Sequence, residues 1–134
     1  MKYLDLDGNK ISTVPTNLNL SELRVLDLSA NHLEDLPALQ QFPKIQKIDL
    51  TANRIKTLNK FKTSQSLSII SLRGNLLTDL RILGKPMYKD LKFDLEENPV
   101  VDKKTHCPFK TPNKSLNWYC NIIVNKPDTA EKLD

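Results

Sequence analysis

The sequence has few of the residues on which catalytic and metal sites most often depend. Its 134 residues include two cysteines, two histidines and three glycines. The glycines form no phosphate-binding loop, and the sequence has neither a serine nucleophile motif nor a histidine-glutamate metal motif. Four ligands at the spacing of a zinc site are also missing. These absences predict a protein that is not an enzyme and that binds neither a metal nor another cofactor.

Long apolar runs and concentrated charge are missing too. No run of about 18 apolar residues occurs, so we expect no membrane-spanning helix. The net charge is +4, but residues 1–98 hold 14 Lys and Arg against 12 Asp and Glu, and residues 99–134 hold 6 against 4. Because neither part has a basic stripe with stacking aromatic residues, the sequence predicts no nucleic-acid binding. The start, MKYLDLDGN, lacks the features of a secretory signal, so we expect a secreted form to have lost its signal before Met1.

What the sequence does have is a repeat. Asn9, Asn31, Asn53, Asn75 and Asn98 are separated by 22, 22, 22 and 23 residues. Apolar residues stand five and three places before each of them: Leu4 and Leu6, Leu26 and Leu28, Ile48 and Leu50, Ile70 and Leu72, and Phe93 and Leu95. The period-two alternation in segments such as VLDLS and KIDLT predicts one short strand with a buried face in each copy. Strands that recur at this spacing and run in the same direction predict a parallel sheet.

After each asparagine the apolar spacing changes. In the second copy the apolar residues recur at every third position: Leu33, Leu36, Leu39, Phe42 and Ile45. This spacing predicts a tight 3-10 or irregular return segment on the far side of the coil. The asparagine itself stands where the chain leaves the strand. We expect its side chain to point inward and to pair with backbone groups of its own turn and of the neighbouring copy, as one member of a buried ladder.

The frame L-x-x-L-x-L-x-x-N-x-L resembles the leucine-rich repeat, and about five copies cover residues 1–100. The resemblance implies an α/β solenoid with a parallel sheet of short strands on its concave face and a 3-10 or irregular convex side. Residues 101–134 do not repeat, and we expect a C-terminal cap there that closes the open end of the core. The repeat length is similar to that of bacterial surface adhesins and intracellular phosphatase-regulator-like adaptors, whereas TVP and DLP are similar to the longer extracellular repeats.

Both cysteines, Cys107 and Cys120, lie in the predicted cap. They predict a disulfide, which would place the protein outside the reducing cytosol; the alternative is a pair of buried thiols. Asn19 and Asn113 begin acceptor triplets for N-glycosylation. The cap is also similar to the segment that follows the repeats in secreted leucine-rich immune proteins of mosquitoes. That resemblance implies a secreted protein of innate immunity.

The sheet face that is turned away from the core is the predicted binding surface. The residues that we expect to contact a partner there are Tyr3, Val25, Asp27, Lys47, Asp49, Ile69, Ser71, Arg73, Lys92 and Asp94. Exposed apolar and aromatic side chains among charges are typical of an interaction patch. The aspartates would suit a basic partner or calcium, but we favour the alternative of ordinary repeat residues whose charge is balanced by Lys47, Arg73 and Lys92.

These features predict a non-catalytic module that binds a protein partner on its concave face and is secreted or displayed at the cell surface. The alternative is a cytoplasmic leucine-rich adaptor that scaffolds an enzyme such as a phosphatase. We also expect self-association through the uncapped first coil or through the cap, because an open strand edge is a template for pairing.

Overall fold

The structure, a computed structural model, describes residues 1–58, 61–62, 66–79 and 91–101. Within these ranges the chain forms five three-residue strands and one 3-10 helix. The strands are β1 (Tyr3–Asp5), β2 (Val25–Asp27), β3 (Lys47–Asp49), β4 (Ile69–Ser71) and β5 (Lys92–Asp94), and the helix is Leu39–Gln41. No helix in the described part of the chain is long and apolar enough to cross a lipid bilayer.

The strands form a single parallel sheet in the order of the sequence, β1-β2-β3-β4-β5. Equivalent residues of successive copies pair directly: Leu4 with Leu26, Leu26 with Ile48, Ile48 with Ile70, and Ile70 with Phe93. The sheet therefore has no register shift along its length. The predicted solenoid of stacked coils, in which one coil runs from each strand to the next, is confirmed.

The hydrophobic core lies on one side of this sheet. It holds the middle residue of each strand from β2 onward, together with the leucine two places later, and these side chains are almost completely inaccessible. The middle residue of β5 is Phe93. Its ring packs edge to face against the ring of Phe61, with the ring centroids 6.4 Å apart. Burial of one such side chain contributes roughly 1.5–3 kcal/mol, so the sheet is stabilised chiefly by what lies beneath it.

The return segment of the second coil follows the predicted three-residue spacing. Leu33, Leu39, Phe42 and Ile45 are buried against the strands, and the 3-10 helix brings Leu39 onto the core. A 3-10 turn places residues three apart on the same side, which explains why that spacing gives a buried row. The other described return segments are irregular.

The repeated asparagines join each coil to the one before it. The side-chain oxygen of Asn53 accepts a hydrogen bond from the backbone N–H of Leu33 in the preceding coil, at 3.0 Å. Its amide nitrogen donates to the carbonyl oxygens of Leu28, also in the preceding coil, and of Leu50 in its own coil, at 2.9 and 3.1 Å. A third, longer contact reaches the carbonyl oxygen of Thr51. One side chain thus pairs with backbone groups of two coils, and the Leu28 and Leu50 oxygens also accept from Asn31 and Asn75, respectively.

Asn31, Asn75 and Asn98 repeat this pattern, and all four central asparagines are only 3–6% exposed. Asn9 does not. Its amide nitrogen donates to the carbonyl oxygens of Leu6 and Asp7 in its own coil, but its side chain is exposed. The prediction that Asn9 belongs to the buried ladder is wrong, because β1 is an edge strand and only the following coil packs against its turn.

Each asparagine follows a residue in the left-handed backbone conformation. These residues are Gly8, Ala30, Ala52, Gly74 and Glu97, with φ between 55° and 70°. Glycine adopts this conformation without steric cost, whereas other residues pay of order 1 kcal/mol or more. Three of the five turns therefore hold a strained residue, and the buried asparagine next to it supplies the compensating hydrogen bonds.

Replacing Asn53 with alanine tests the ladder. We expect Asn53→Ala to lower the free energy of unfolding by about 1–3 kcal/mol, because the N–H of Leu33 and the carbonyl oxygens of two coils lose a buried partner. Urea denaturation monitored by circular dichroism measures the loss. Asn9→Ala is the matched control, and because Asn9 is exposed it should cost about 0.5 kcal/mol or less. Equal losses in the two variants would show that the bonds between coils contribute nothing.

Candidate functional site

The face of the sheet turned away from the core carries two columns of side chains, which we call the open sheet face. The first residues of the strands form the first column: Tyr3, Val25, Lys47, Ile69 and Lys92. The third residues form the second column: Asp5, Asp27, Asp49, Ser71 and Asp94. At about 4.8 Å between strands, the face is roughly 19 Å long. The register thus brings together all the predicted partner-contacting residues of the strands.

The aspartates of the second column have a local structural task. One carboxylate oxygen of each aspartate accepts a hydrogen bond from the backbone N–H two residues later. The N–H of Ser29 donates to Asp27 and the N–H of Thr51 donates to Asp49, both at 2.9 Å. Asp5 and Asp94 make the same contact, at 3.0 and 3.2 Å. A short carboxylate side chain stabilises a turn in this way. The aspartates of the column therefore hold the strand-end turns.

Arg73 lies beside the C-terminal end of the second column. Its Nε donates to the second carboxylate oxygen of Asp94 at 3.0 Å, and its Nη1 lies 3.8 Å from a carboxylate oxygen of Glu97. The Arg73 side chain remains 44% exposed. An exposed ion pair adds little stability. Its effect is to hold a half-exposed guanidinium group in place at this end of the open sheet face.

Ser71 differs from its predicted role. It was expected to be available to a partner, but it is only 8% exposed. Its hydroxyl lies 2.7 Å from the hydroxyl of Thr51 on the neighbouring coil, and the two form a hydrogen bond. A serine is shorter than the aspartate found in the other copies, so it reaches its neighbour rather than solvent. Ser71 joins two coils and should not be counted among the contact residues.

The first column supplies the apolar part of the face. Tyr3 is 52% exposed, and Val25 and Ile69 are half-buried. Lys47 lies between Val25 and Ile69 in the register, and Lys92 follows Ile69. Apolar and basic side chains thus alternate in one column beside an acidic one. Such a face can bind a partner segment with an apolar ridge. The segment would carry acidic residues on the side that meets the lysines and basic residues on the side that meets the aspartates.

Asp49 stands at the centre of the acidic column, and its carboxyl group is partly buried. Burial raises the pKa of its carboxyl above the ordinary value of 3.8, and the nearby charges of Asp27 and Asp94 raise it further. The hydrogen bonds from Thr51 act in the opposite direction. A partly buried negative charge is a place where a basic group of a partner would be stabilised.

A second acidic group lies at the β1 end. Asp5, Asp7 and Asp27 have carboxylate oxygens within 4.8 Å of one another, and Asp5 and Asp7 are exposed. The hydrogen bond between Asp5 and Asp7 raises the pKa of Asp7, as does the charge of Asp5, and the same bond lowers the pKa of Asp5. Carboxylates at this spacing have the chemistry to hold a divalent cation. Exposed acidic groups also occur without one, and the Asx turn at Asp5 accounts for part of this arrangement.

The structure also contains a polar residue that the sequence pattern did not reveal. Gln41 is buried, with its amide nitrogen donating to the carbonyl oxygen of Pro15 at 2.7 Å and its amide oxygen accepting from the N–H of Leu18 at 2.9 Å. It ties the return segments of the first two coils together, as the asparagines tie the strand ends. Glutamine does not recur at this position in the other copies, so no periodic signal marked it.

Several predicted sites lie outside the described residues. These are the cysteine pair Cys107 and Cys120, the acceptor Asn113 and the cap from residue 102 onward. Asn19 is described: its side chain is exposed and its backbone has φ 51°. Its accessibility is compatible with a modification site.

The raised pKa of Asp49 leads to a pH-dependent prediction. Between 3.8 and its higher folded-state pKa, the folded protein binds more protons than the unfolded chain, so this group makes the protein less stable as the pH rises. Asp49→Asn keeps an acceptor for Thr51 and removes the charge. We expect Asp49→Asn to be more stable than the wild type at neutral pH. The difference in the free energy of unfolding should be less than about 1 kcal/mol, because solvent screens the carboxylate. Below 3.8 the difference should vanish.

Urea denaturation at several pH values measures this difference. Glu34→Gln is the matched control, since it removes one exposed negative charge from a residue outside the sheet and should leave the stability unchanged. If Asp49→Asn proved less stable than the wild type at neutral pH, the charged carboxylate would instead be a stabilising member of the face.

Comparison with known proteins gives one result for the repeat region. The family model described as "Leucine-rich repeat and WD repeat-containing protein 1, LRR" matches residues 1–101. A search of curated proteins finds no match. The matched range includes all five strands and all five repeated asparagines. This match agrees with the parallel register and the asparagine ladder, and the chain belongs to the leucine-rich repeat family.

Proposed function

We propose that this chain is a non-catalytic recognition module that binds another protein on its open sheet face. Membership of the leucine-rich repeat family supports the general part, since such repeats serve protein interaction. The open sheet face supports the specific part. Parallel sheets are usually covered on both faces, yet here Tyr3 is half-exposed on a face that no described element covers.

The chemistry of the two columns indicates the kind of partner. The second column presents the partly exposed carboxylates of Asp27 and Asp49, which favour basic side chains. The first column presents Val25 and Ile69 with Lys47 between them, which favours an apolar ridge with an acidic residue near its centre. A face of roughly 19 Å accommodates a loop or a helix of three to four turns. The partner segment is therefore amphipathic, with basic residues along one side.

Location is the second part of the proposal. We propose a secreted or cell-surface protein, with a role in innate immunity, in which Cys107 and Cys120 are joined and Asn19 and Asn113 can carry glycans. The cap sequence and the exposed side chain of Asn19 support it. The rival is a cytoplasmic adaptor that scaffolds an enzyme such as a phosphatase. The 22-residue repeat length does not separate the two, because it resembles that of surface adhesins as well as that of intracellular adaptors.

Mass spectrometry of the non-reduced protein, isolated from its native source, separates the two locations. We expect a mass two hydrogens below that of the reduced chain and no reaction with a thiol reagent, because a disulfide persists in an oxidising compartment. The reduced and unfolded protein, which should show two reactive thiols, is the control. Two reactive thiols in the native protein would instead favour the cytoplasmic adaptor.

Binding to the open sheet face can be tested with partners selected for the purpose. A displayed library of helical peptides is selected on the wild-type chain, and the affinities of several independent binders are measured. We expect the double variant Ile69→Thr, Arg73→Gln to weaken most of them about tenfold or more, equivalent to about 1.4 kcal/mol. The reason is that it removes one apolar contact and one oriented guanidinium group.

The control for this experiment makes the same chemical changes elsewhere. Leu76 and Arg54 are exposed and follow the asparagines rather than the strands. Leu76→Thr, Arg54→Gln should leave the affinities unchanged, and circular dichroism checks that both variants fold. Binders that respond equally to both variants, or that ignore the first, would show that the open sheet face is not the recognition surface.

A further inference from the structure

The side of the sheet where the strands begin is basic in the second and third coils. Arg24 and Gln46 precede β2 and β3 at equivalent positions, and the N–H of Gln46 donates to the carbonyl oxygen of Arg24 at 2.8 Å. Two residues before them stand Glu22 and Lys44, and Lys47 begins β3. We call four charged residues of these two coils the basic edge: Glu22, Arg24, Lys44 and Lys47. Because Lys47 also belongs to the first column, the basic edge is continuous with the open sheet face.

Glu22 shows which chemical group the basic edge stabilises. The Nζ of Lys44 donates to both carboxylate oxygens of Glu22, each at 3.1 Å. This hydrogen bond and the charge of Lys44 lower the pKa of Glu22 below its ordinary value of 4.5, and the charges of Arg24 and Lys2 lower it further. A lowered pKa means that the surroundings favour the ionised carboxylate. The basic edge therefore supplies the positive potential that a carboxylate of a partner would require.

The ion pair between Glu22 and Lys44 can be exchanged at little cost. The two side chains are 52% and 51% exposed. An exposed pair contributes little to folding stability, so the coils do not depend on it. A carboxylate of a partner can accept the same charge-assisted hydrogen bond from Lys44. The exchange replaces one carboxylate with another and leaves Glu22 in solvent, where its charge is hydrated.

We propose that the basic edge binds a carboxylate of the partner segment that lies on the open sheet face, and that this carboxylate displaces Glu22 from Lys44. The inference rests on the proposed function, because it requires a partner on the first column. Charge complementarity decides the occupant. Arg24 comes directly before the first column and Asp27 two residues after it, so the acidic side of the segment meets the basic edge while its basic side meets the aspartates. Arg24 and Lys44 thus determine specificity, and Glu22 competes with the partner.

Removal of the competitor tests the proposal. The probes are the helical peptides selected on the wild-type chain, and titration calorimetry with the full chain measures their affinities. Glu22→Gln should strengthen most of them about threefold, because Lys44 no longer has a carboxylate of its own. The double variant Arg24→Gln, Lys44→Gln should weaken the same peptides about tenfold, because two cations are lost. An affinity that Glu22→Gln leaves unchanged or lowers would overturn the proposal.

Matched controls separate the basic edge from the net charge of the chain. Glu34→Gln removes one exposed negative charge outside the sheet, and Arg54→Gln, Lys56→Gln removes two exposed positive charges that follow an asparagine. Both controls should leave the affinities unchanged, and circular dichroism checks that all variants fold. Equal responses of test and control variants would show that net charge governs binding and that the basic edge is not a site.

Changes in the peptide identify the group that occupies the basic edge. Acidic residues of a selected peptide are replaced one at a time by the neutral amide. We expect one replacement to weaken binding to the wild type about tenfold but to Arg24→Gln, Lys44→Gln less than about threefold, because the two partners of the interaction are coupled. If no acidic residue showed this coupling and a heparin fragment bound the basic edge instead, the occupant would be a polyanion and the proposal would fail.

The two proposals fail in different ways. Peptides that ignore Ile69→Thr, Arg73→Gln contradict the proposed recognition surface itself. Peptides that respond to that variant but not to Arg24→Gln, Lys44→Gln contradict only the role of the basic edge.

Discussion

The whole structure depends on a side-chain amide that pairs with the backbone of two coils at once. Each central asparagine accepts one N–H from the preceding coil and donates to carbonyl oxygens on both sides. The net gain per hydrogen bond is only about 1 kcal/mol, but an unpaired buried group costs about as much again or more. These groups lie beneath the sheet where water cannot replace the amide. The strand register is therefore fixed, since pairing one residue out of register would leave groups of both coils unsatisfied. The one extra residue of the last repeat lies between Asn75 and β5 in the sequence and leaves the bonds of Asn98 intact.

The open sheet face combines this structural task with the proposed recognition surface. The aspartates of the second column hold the strand-end turns through a carboxylate oxygen, so their positions are set by the fold rather than by a partner. The first column differs from coil to coil: Tyr3, Val25, Lys47, Ile69 and Lys92. Specificity is consequently expected from the first column, and general attraction to basic segments from the second.

Particular residues show how far the sequence alone could predict this site. The 22-residue period placed Val25, Lys47 and Ile69 in one column because period-two strands in register leave no other arrangement. It also assigned Ser71 to the surface. The serine side chain is shorter than the aspartate of the other copies, and it bonds instead to Thr51 on the neighbouring coil. Gln41 escaped prediction altogether, since it occurs once and a pattern detects only what recurs. The left-handed turns were marked by glycine at Gly8 and Gly74 but not at Ala30 or Ala52.

The sequence by itself determined the repeat, the direction of the strands, the inward position of the leucines and the pairing chemistry of the asparagines. Each of these follows from the local pattern of one coil, which is the same wherever the coil stands. Tertiary structure alone decided which members of the pattern are buried. Asn9 and Asn53 have the same local frame, but Asn53 lies between two coils and Asn9 beside one, so only Asn53 is removed from water. Burial depends on neighbours in space, and the pattern of a single coil contains no information about them.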